Sequence, residues 1–102
     1  MVAMAQSRTA SPRRLHVVYG GRVHGVGFRY TAESVALPLK LSGWVRNLPD
    51  GRVEVVCEGP EARLKRFIDE MRAGPMQTYI REAQVRWEAA TGEFDDFHVR
   101  FT

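Results

Sequence analysis

The sequence predicts an α+β fold, a ferredoxin-like split βαβ sandwich in which two helices cover one face of an antiparallel sheet. Three observations support this prediction. The 102 residues suit one domain. Two segments carry the apolar spacing of helices, and the segments around them have the apolar pattern of strands. In chain order the segments form a β-α-β-β-α-β pattern, followed by a short C-terminal strand.

The first strand is predicted over about residues 14–23, because Leu15–Tyr19 is rich in residues that favour strands. Several glycines between residues 20 and 27 then indicate a loop. A helix is predicted from Phe28, and Pro38 should end it near residue 37, because proline disfavours the helical conformation in the residue before it. One face of this helix carries Phe28, Val35, Ala36 and Leu39.

The second and third strands are predicted as a hairpin over Ser42–Leu48 and Arg52–Glu58. Leu48, Pro49, Asp50 and Gly51 form the turn between them, since proline presets φ, aspartate bonds locally and glycine accepts positive φ. The third strand alternates, so Cys57 is expected to be a buried, inert thiol. Val53 and Val55 share its face.

The second helix is expected to open at Gly59-Pro60, with proline at the first helical position, and to end at Gly74-Pro75. Its apolar residues follow an i, i+3, i+4, i+7 pattern: Leu64, Phe67, Ile68 and Met71. A fourth strand alternates Ala83, Val85 and Trp87, and a fifth alternates Phe97, Val99 and Phe101. Both tryptophans and the phenylalanines are expected in the core.

The composition and charge of the chain predict a flexible leader over 1–13 and a folded domain over 14–102. The formal net charge is +3, and residues 14–102 hold 13 bases against 12 acids. This near neutrality weakens a nucleic-acid-binding function. No apolar run is long enough to span a bilayer. The leader lacks the apolar core of a signal peptide, so a cytoplasmic protein is expected. The single cysteine excludes an intrachain disulfide.

The glycine-rich stretch from Gly21 to Arg29 has the composition of an anion-binding loop. Glycines let the backbone approach a ligand closely, and successive N–H groups can point inward at an anion. The helix that follows adds its positive N-terminal end, and Arg29 adds donors that match phosphate. The dinucleotide-binding and P-loop patterns do not fit, because Tyr30 stands where a glycine is needed and the P-loop lysine is missing. A small phosphate or carboxylate site is therefore predicted.

Asn47 ends the second predicted strand, just before the hairpin turn. In the predicted topology this strand end can lie beside the loop that holds Arg29. An asparagine side chain offers both a donor and an acceptor, so it could hold a water molecule against a bound phosphoryl group.

Two motifs together resemble the acylphosphatase family. The pattern G-x-V-x-G-V-x-F-R is matched by Gly21, Val23, Gly25, Val26, Phe28 and Arg29. A G-W-V-[KR]-N segment is matched by Gly43 through Asn47, and is followed by Gly51, Val53 and Gly59. The C-terminal part also looks similar, so the resemblance covers about residues 14–101.

The resemblance implies that the protein hydrolyses an acyl phosphate to a carboxylate and orthophosphate without a metal or other cofactor. It implies that Arg29 and the backbone N–H groups of the 24–29 loop bind the phosphoryl group, while Asn47 orients the attacking water. The substrate's own phosphate would accept the proton. The expected loop residues are His24, Gly25, Val26, Gly27, Phe28 and Arg29. The expected partner is a small-molecule substrate, with no nucleic acid and no membrane, and the expected state is a monomer.

The chain departs from the family pattern in small ways, one in the loop and two at the end of the first helix, where Pro38 and Lys40 should leave the pocket intact. His24 stands where glutamine is common, so its side chain is not expected to be essential. Lys40 stands where glycine often follows the first helix. His16, His24 and His98 show no metal-ligand spacing, so no metal site is predicted.

Two other functions remain open at the level of sequence. The same pocket could bind an acyl or carbamoyl phosphate without turnover, because acylphosphatase-like domains occur inside larger carbamoyl-transferring proteins. Aromatic side chains on a ferredoxin-like sheet could also stack RNA bases, although the aromatic and basic string of RNA-recognition modules is not visible here.

Overall fold

The computed structural model describes residues 11–101 and confirms the predicted order of elements. The strands and helices are β1 (Pro12–Gly21), α1 (Phe28–Ala36), β2 (Ser42–Asn47), β3 (Val53–Pro60), α2 (Glu61–Ala73), β4 (Ile80–Ala89) and β5 (Phe97–Arg100). Within the described residues, neither helix is long and apolar enough to cross a bilayer.

The five strands form one sheet in the order β4-β1-β3-β2-β5. The pairs of β1 with β3, β1 with β4 and β2 with β3 are antiparallel, as in a ferredoxin-like fold. Strand β5 instead runs parallel to β2, with Val99 opposite Val45. The predicted antiparallel sheet is therefore mixed at one edge, because β5 follows β4 by a connection that crosses the sheet to its other side.

The hydrophobic core lies between this sheet and the two helices. Helix α1 packs over β2 and β5, and α2 packs over β3 and β1. The predicted apolar faces of both helices point into this core, as do Val53, Val55 and Cys57 of β3. Cys57 is buried, as predicted, and burial raises the pKa of its thiol to about 12. Burying each large apolar side chain contributes about 1.5–3 kcal/mol. The fully buried members include Leu15, Val17, Tyr19, Phe28, Leu64, Phe67 and Met71.

The structure corrects several predicted element boundaries. Strand β1 begins at Pro12 and pairs with β3 from that residue, so it includes the last two residues of the predicted leader. Residues 1–10 of that leader lie outside the described residues, and its flexibility stays a prediction. Helix α2 begins at Glu61, and Pro60 is its N-cap rather than its first helical residue. Proline suits the N-cap position because its extended backbone conformation sets the direction in which the chain enters the helix.

Three aromatic side chains lie outside the core in which the sequence placed them, namely Phe101, Trp44 and Phe94. Phe94 lies in the loop after β4, with its ring centroid 5.1 Å from the Arg14 guanidinium carbon. Phe101 follows β5 and is 70% exposed, so its assignment to the core was wrong. Trp44 is half-buried and points away from the helices, because its neighbours Gly43 and Val45 are the buried residues of β2. The guanidinium carbons of Arg46 and Arg100 lie 4.9 and 4.7 Å from its ring centroid. Alternation along β2 places this tryptophan on the open face of the sheet.

A buried carboxylate joins the loop after β4 to the sheet. Glu58 is only 4% exposed and accepts hydrogen bonds from the backbone N–H groups of Thr91 (2.9 Å) and Gly92 (3.0 Å). Arg14 Nε donates a further bond of 2.7 Å. Burial by itself raises the pKa of Glu58, but these hydrogen bonds outweigh it and the pKa lies below its ordinary value. The charged form of Glu58 therefore stabilises the fold.

The end of α1 requires a residue in the left-handed conformation. Lys40 has φ 56°, and its backbone N–H donates to Leu37 O at 3.0 Å. The N–H of Leu41 donates to Ala36 O at 3.2 Å, and this hydrogen bond ends the helix. Glycine is the residue that normally occupies such a position, so Lys40 holds a backbone conformation that its Cβ disfavours.

Candidate active site

The carboxyl ends of three strands lie at the same end of the sheet. Strands β1 and β2 both run antiparallel to β3, so they are parallel to each other, and β5 is parallel to β2. These strand ends carry the loop after β1, Asn47 of β2 and Phe101 after β5, which therefore lie at the same end of the sheet. The predicted proximity of Asn47 to the glycine loop is confirmed.

The loop between β1 and α1 is fixed at both ends by buried side chains. Val23 and Phe28 are each 1% exposed, and the Phe28 ring lies 5.0 Å from the Tyr19 ring. The Arg22 N–H donates to Tyr79 O at 2.9 Å. These anchors hold the intervening residues, 24–27, in one position at the surface.

Two glycines give this loop its shape. Gly25 has φ 78° and Gly27 has φ 77°, in the left-handed region that other residues rarely adopt. Gly27 is the N-cap of α1 and has no side chain to cap the helix. The first N–H groups of α1 therefore have no side-chain partner from the N-cap, and the helix adds about half a positive charge at this end.

A cavity of about 230 Å³ lies at the mouth of this loop. Because each water molecule occupies about 30 Å³ in the liquid, the cavity has room for a phosphoryl group together with a water molecule. Arg29 lines this cavity and no carboxylate does, so the electrostatic potential in the cavity is positive. The lining residues are Val23, His24, Gly25, Gly27, Phe28, Arg29, Tyr30 and Asn47.

The cavity brings together most of the residues predicted from sequence. His24, Gly25, Gly27, Phe28, Arg29 and Asn47 all line it. Val26 does not, because its side chain is half-buried and packs against the hydrophobic core. Val23 and Tyr30 also line the cavity and were not among the predicted site residues. Both residues directly flank the predicted loop, and this position in the sequence could have indicated that they line the cavity.

Arg29 lies in the first turn of α1, is half-buried and lines the cavity. Its Nη1 donates to Arg100 O at 3.3 Å, and its Cζ lies 4.8 Å from the Phe101 ring centroid. Within residues 11–101 it forms no salt bridge, whereas Arg13, Arg14 and Arg46 each have a carboxylate partner. The described part of the chain thus orients the guanidinium and leaves donors free for an anion.

Asn47 is held by the hairpin that it begins. It pairs with Val53 across β2 and β3, and the next residue, Leu48, donates its N–H to Arg52 O at 2.7 Å. The predicted turn is confirmed, since the Gly51 N–H donates to Leu48 O at 3.0 Å. The hairpin thus fixes the backbone of Asn47 at the place where this residue lines the cavity.

The cavity combines an arginine and backbone N–H groups, which are donors suited to an anion, with an amide side chain that offers both a donor and an acceptor. Among residues 11–101, no group of three or more His, Cys, Asp or Glu side chains is arranged to hold a metal ion. His16 and His98 instead lie 2.7 Å from Glu54 and 3.4 Å from Asp96, away from the cavity.

Sequence comparison connects this arrangement with known proteins. The family model for acylphosphatase matches residues 15–99. The acylphosphatase of Syntrophobacter fumaroxidans is 46% identical over 89 residues, which cover 87% of this chain and 92% of that protein.

Structural comparison gives the same result. The crystal structure of an acylphosphatase from Bacillus subtilis superposes with a TM-score of 0.80 at 34% identity, covering 86% of this chain and 98% of that one. The phosphate- and nucleotide-bound structure of full-length HypF superposes with a TM-score of 0.78 at 29% identity. That match covers 89% of this chain but only 12% of HypF.

Proposed function

Because the chain belongs to the acylphosphatase family and is therefore a hydrolase of acyl phosphates, we propose that its cavity performs this reaction without a metal. Arg29 and the backbone N–H groups of residues 24–29 bind the phosphoryl group, and Asn47 orients the attacking water. The observation that carries the proposal is the position of Arg29 and Asn47 on the same cavity beside the N-terminus of α1.

Binding of the phosphoryl group rests on three sources of positive potential. The Arg29 fork can donate two parallel hydrogen bonds to phosphate oxygens. The loop and the first turn of α1 supply backbone N–H groups, and the helix dipole adds to them. A preorganised donor of this kind is typically worth about 100–1,000-fold in rate, because it need not reorganise as charge develops.

The reaction is a single displacement at phosphorus. The oxygen of the water held by Asn47 attacks the phosphorus atom, and the bond from phosphorus to the bridging oxygen breaks. The carboxylate leaves with the electron pair, and a phosphate oxygen takes the proton from the water. Because the carboxylate is a good leaving group, positioning and charge stabilisation are sufficient, and no titrating side chain is required.

The test is hydrolysis of acetyl phosphate in EDTA by the wild-type protein, Arg29→Ala and Asn47→Ala. We expect turnover by the wild type and a loss of at least about 100-fold in kcat/KM for each variant. Arg63→Ala is the matched control for Arg29→Ala, since Arg63 is an exposed arginine on α2. A wild type that is inactive in EDTA and active with added metal would refute the metal-free proposal.

A second candidate, binding without turnover, gains some support from the likeness to HypF, whose structure is described as phosphate-bound. Calorimetry that showed tight phosphate binding by a protein inactive on acyl phosphates would favour it. Similarity to acylphosphatases over most of both chains favours hydrolysis. RNA binding is the weakest candidate, and lack of any salt-dependent binding of single-stranded RNA would remove it.

A monomeric state and a cytoplasmic location remain part of the proposal. Light scattering on the purified protein tests the first, and fractionation of the source cells tests the second.

A further inference from the structure

His24 lines the phosphate cavity with a side chain that the proposed mechanism does not use. It follows Val23, which is 1% exposed and anchors the start of the loop. It precedes Gly25, whose φ of 78° turns the chain. The backbone of His24 is therefore held beside the cavity, while its side chain is exposed to solvent and can take up or release a proton.

His24 differs from the other two histidines in its partners. His16 Nε2 lies 2.7 Å from Glu54, and His98 Nδ1 lies 3.4 Å from Asp96. Within the described part of the chain, the imidazole of His24 has neither a hydrogen bond nor a carboxylate partner. A protonated imidazole has donors on both ring nitrogens. In the described structure, those donors remain available for an anion in the cavity.

His24 is also the group near the cavity whose charge changes close to neutral pH. The charged and titratable groups around it come from the loop, α1 and the start of β4: Arg22, Arg29, Tyr30, Arg81 and Glu82. Guanidinium and carboxylate groups keep their charge and phenols stay neutral between about pH 5.5 and pH 8. Histidine is the side chain that gains a proton in this interval. The cavity therefore gains one positive charge as the pH falls.

An anion in the cavity lies close to both His24 and Arg29. Both residues line one cavity of about 230 Å³, and no carboxylate lines it. A bound dianion favours the charged form of a nearby imidazole, and by linkage the charged imidazole favours the dianion by the same factor. Because His24 is exposed, water screens this attraction, and an exposed ion pair changes an affinity by up to about fivefold.

From this placement we propose that the His24 side chain is a second cationic ligand of the bound anion, and that it acts only when protonated. Dianions therefore bind more tightly to the cavity as the pH falls. The proposal rests on the phosphate site proposed above, and it adds a binding residue and a pH dependence to that site. The chemical step needs no proton from His24, so the effect is on the affinity for anions rather than on kcat.

The test uses sulfate, which is tetrahedral like phosphate and keeps both charges throughout the pH range used. Calorimetry at constant ionic strength gives the Kd of sulfate at about pH 5.5 and pH 8. We expect the wild-type Kd to be about fivefold lower at the acidic pH. His24→Gln should lose this difference, because glutamine can donate a hydrogen bond but cannot become charged. His98→Gln is the matched control, since His98 is an exposed histidine paired with Asp96, and it should keep the difference.

The reciprocal measurement is an NMR titration of the histidine Cε1–H signals with and without sulfate. Saturating sulfate should raise the titration midpoint of His24 by about 0.7 on the pH scale, which corresponds to fivefold. The midpoint of His98 should not change. A midpoint of His24 that does not move, or a wild-type Kd that is the same at both pH values, overturns the proposal.

Hydrolysis of acetyl phosphate by the same samples tests the proposed function separately, because neither sulfate measurement needs turnover. A wild type that is inactive but binds sulfate more tightly at acidic pH through His24 would refute hydrolysis and support His24 as an anion ligand. A wild type that is active but whose sulfate affinity has the same pH dependence in His24→Gln would refute the role of His24 alone.

Discussion

Replacement of Gly27 by alanine tests whether the shape of the glycine loop is needed for phosphate binding. Gly27 has φ 77°, and a Cβ built there would meet no atom within 4 Å. The cost is therefore conformational rather than steric. An L-residue pays about 1–2 kcal/mol in the left-handed region. The smaller entropy of unfolded alanine offsets about 0.4–1 kcal/mol. A net loss of about 1 kcal/mol should lower Tm by about 4–8 °C.

The matched control is Gly92→Ala. Gly92 has φ 74° and the same open surroundings, but it lies in the loop after β4 and not at the cavity. Both variants should lose similar stability in thermal unfolding. Only Gly27→Ala should lose activity, by about 100-fold in kcat/KM for acetyl phosphate, because small displacements of positioning groups have effects of that size. Equal activity in the two variants would refute the role assigned to the loop.

Three further predictions concern Glu58, Lys40 and His24. Glu58→Gln should destabilise the fold by about 1.5–3 kcal/mol at pH 7 in urea unfolding, because charged hydrogen bonds are lost. Since the pKa of Glu58 is lowered in the fold, its contribution is complete above about pH 4.3 and disappears as the pH falls through the folded value. The variant should therefore show a flatter acid limb, and an unchanged limb would contradict this. Lys40→Gly should raise Tm, since it removes about 1–2 kcal/mol of left-handed strain and loses only about 0.4–1 kcal/mol to the greater entropy of glycine in the unfolded chain; a lower Tm would contradict this. His24→Ala should reduce kcat/KM less than tenfold in a steady-state assay, because the loop acts through its backbone, whereas complete inactivity would contradict the mechanism.

Much of the fold could be predicted from local patterns. Helix α1 begins at Phe28 and ends before Pro38, as the apolar spacing and the proline indicated. The hairpin turn at Pro49 and Gly51 also followed from the conformational preferences of those two residues. Such features depend on neighbours in sequence, and so they are encoded within a few residues. Boundaries were less certain, as Pro12 and Pro60 show, because strand length depends on the pairing partner.

The two motifs by themselves determined the family and supplied the candidate site residues. The glycine spacing around Arg29 and the segment ending at Asn47 specify a loop and a strand end, and each is a local property of the chain. The other residues that line the cavity could not be predicted from local patterns. Whether a side chain such as Val26 turns toward the core or the cavity depends on packing across the loop.

Only the tertiary structure decided that Phe101 lies against the Arg29 guanidinium. The alternation of Phe97, Val99 and Phe101 gave no sign that β5 would run parallel to β2, since a strand's pattern does not depend on the direction of its partner. Parallel pairing places the end of β5 at the same sheet edge as Arg29 and Asn47. The candidate phosphate site is thus largely local in sequence, whereas Phe101 reaches Arg29 only because strands distant in sequence end on the same side of the sheet.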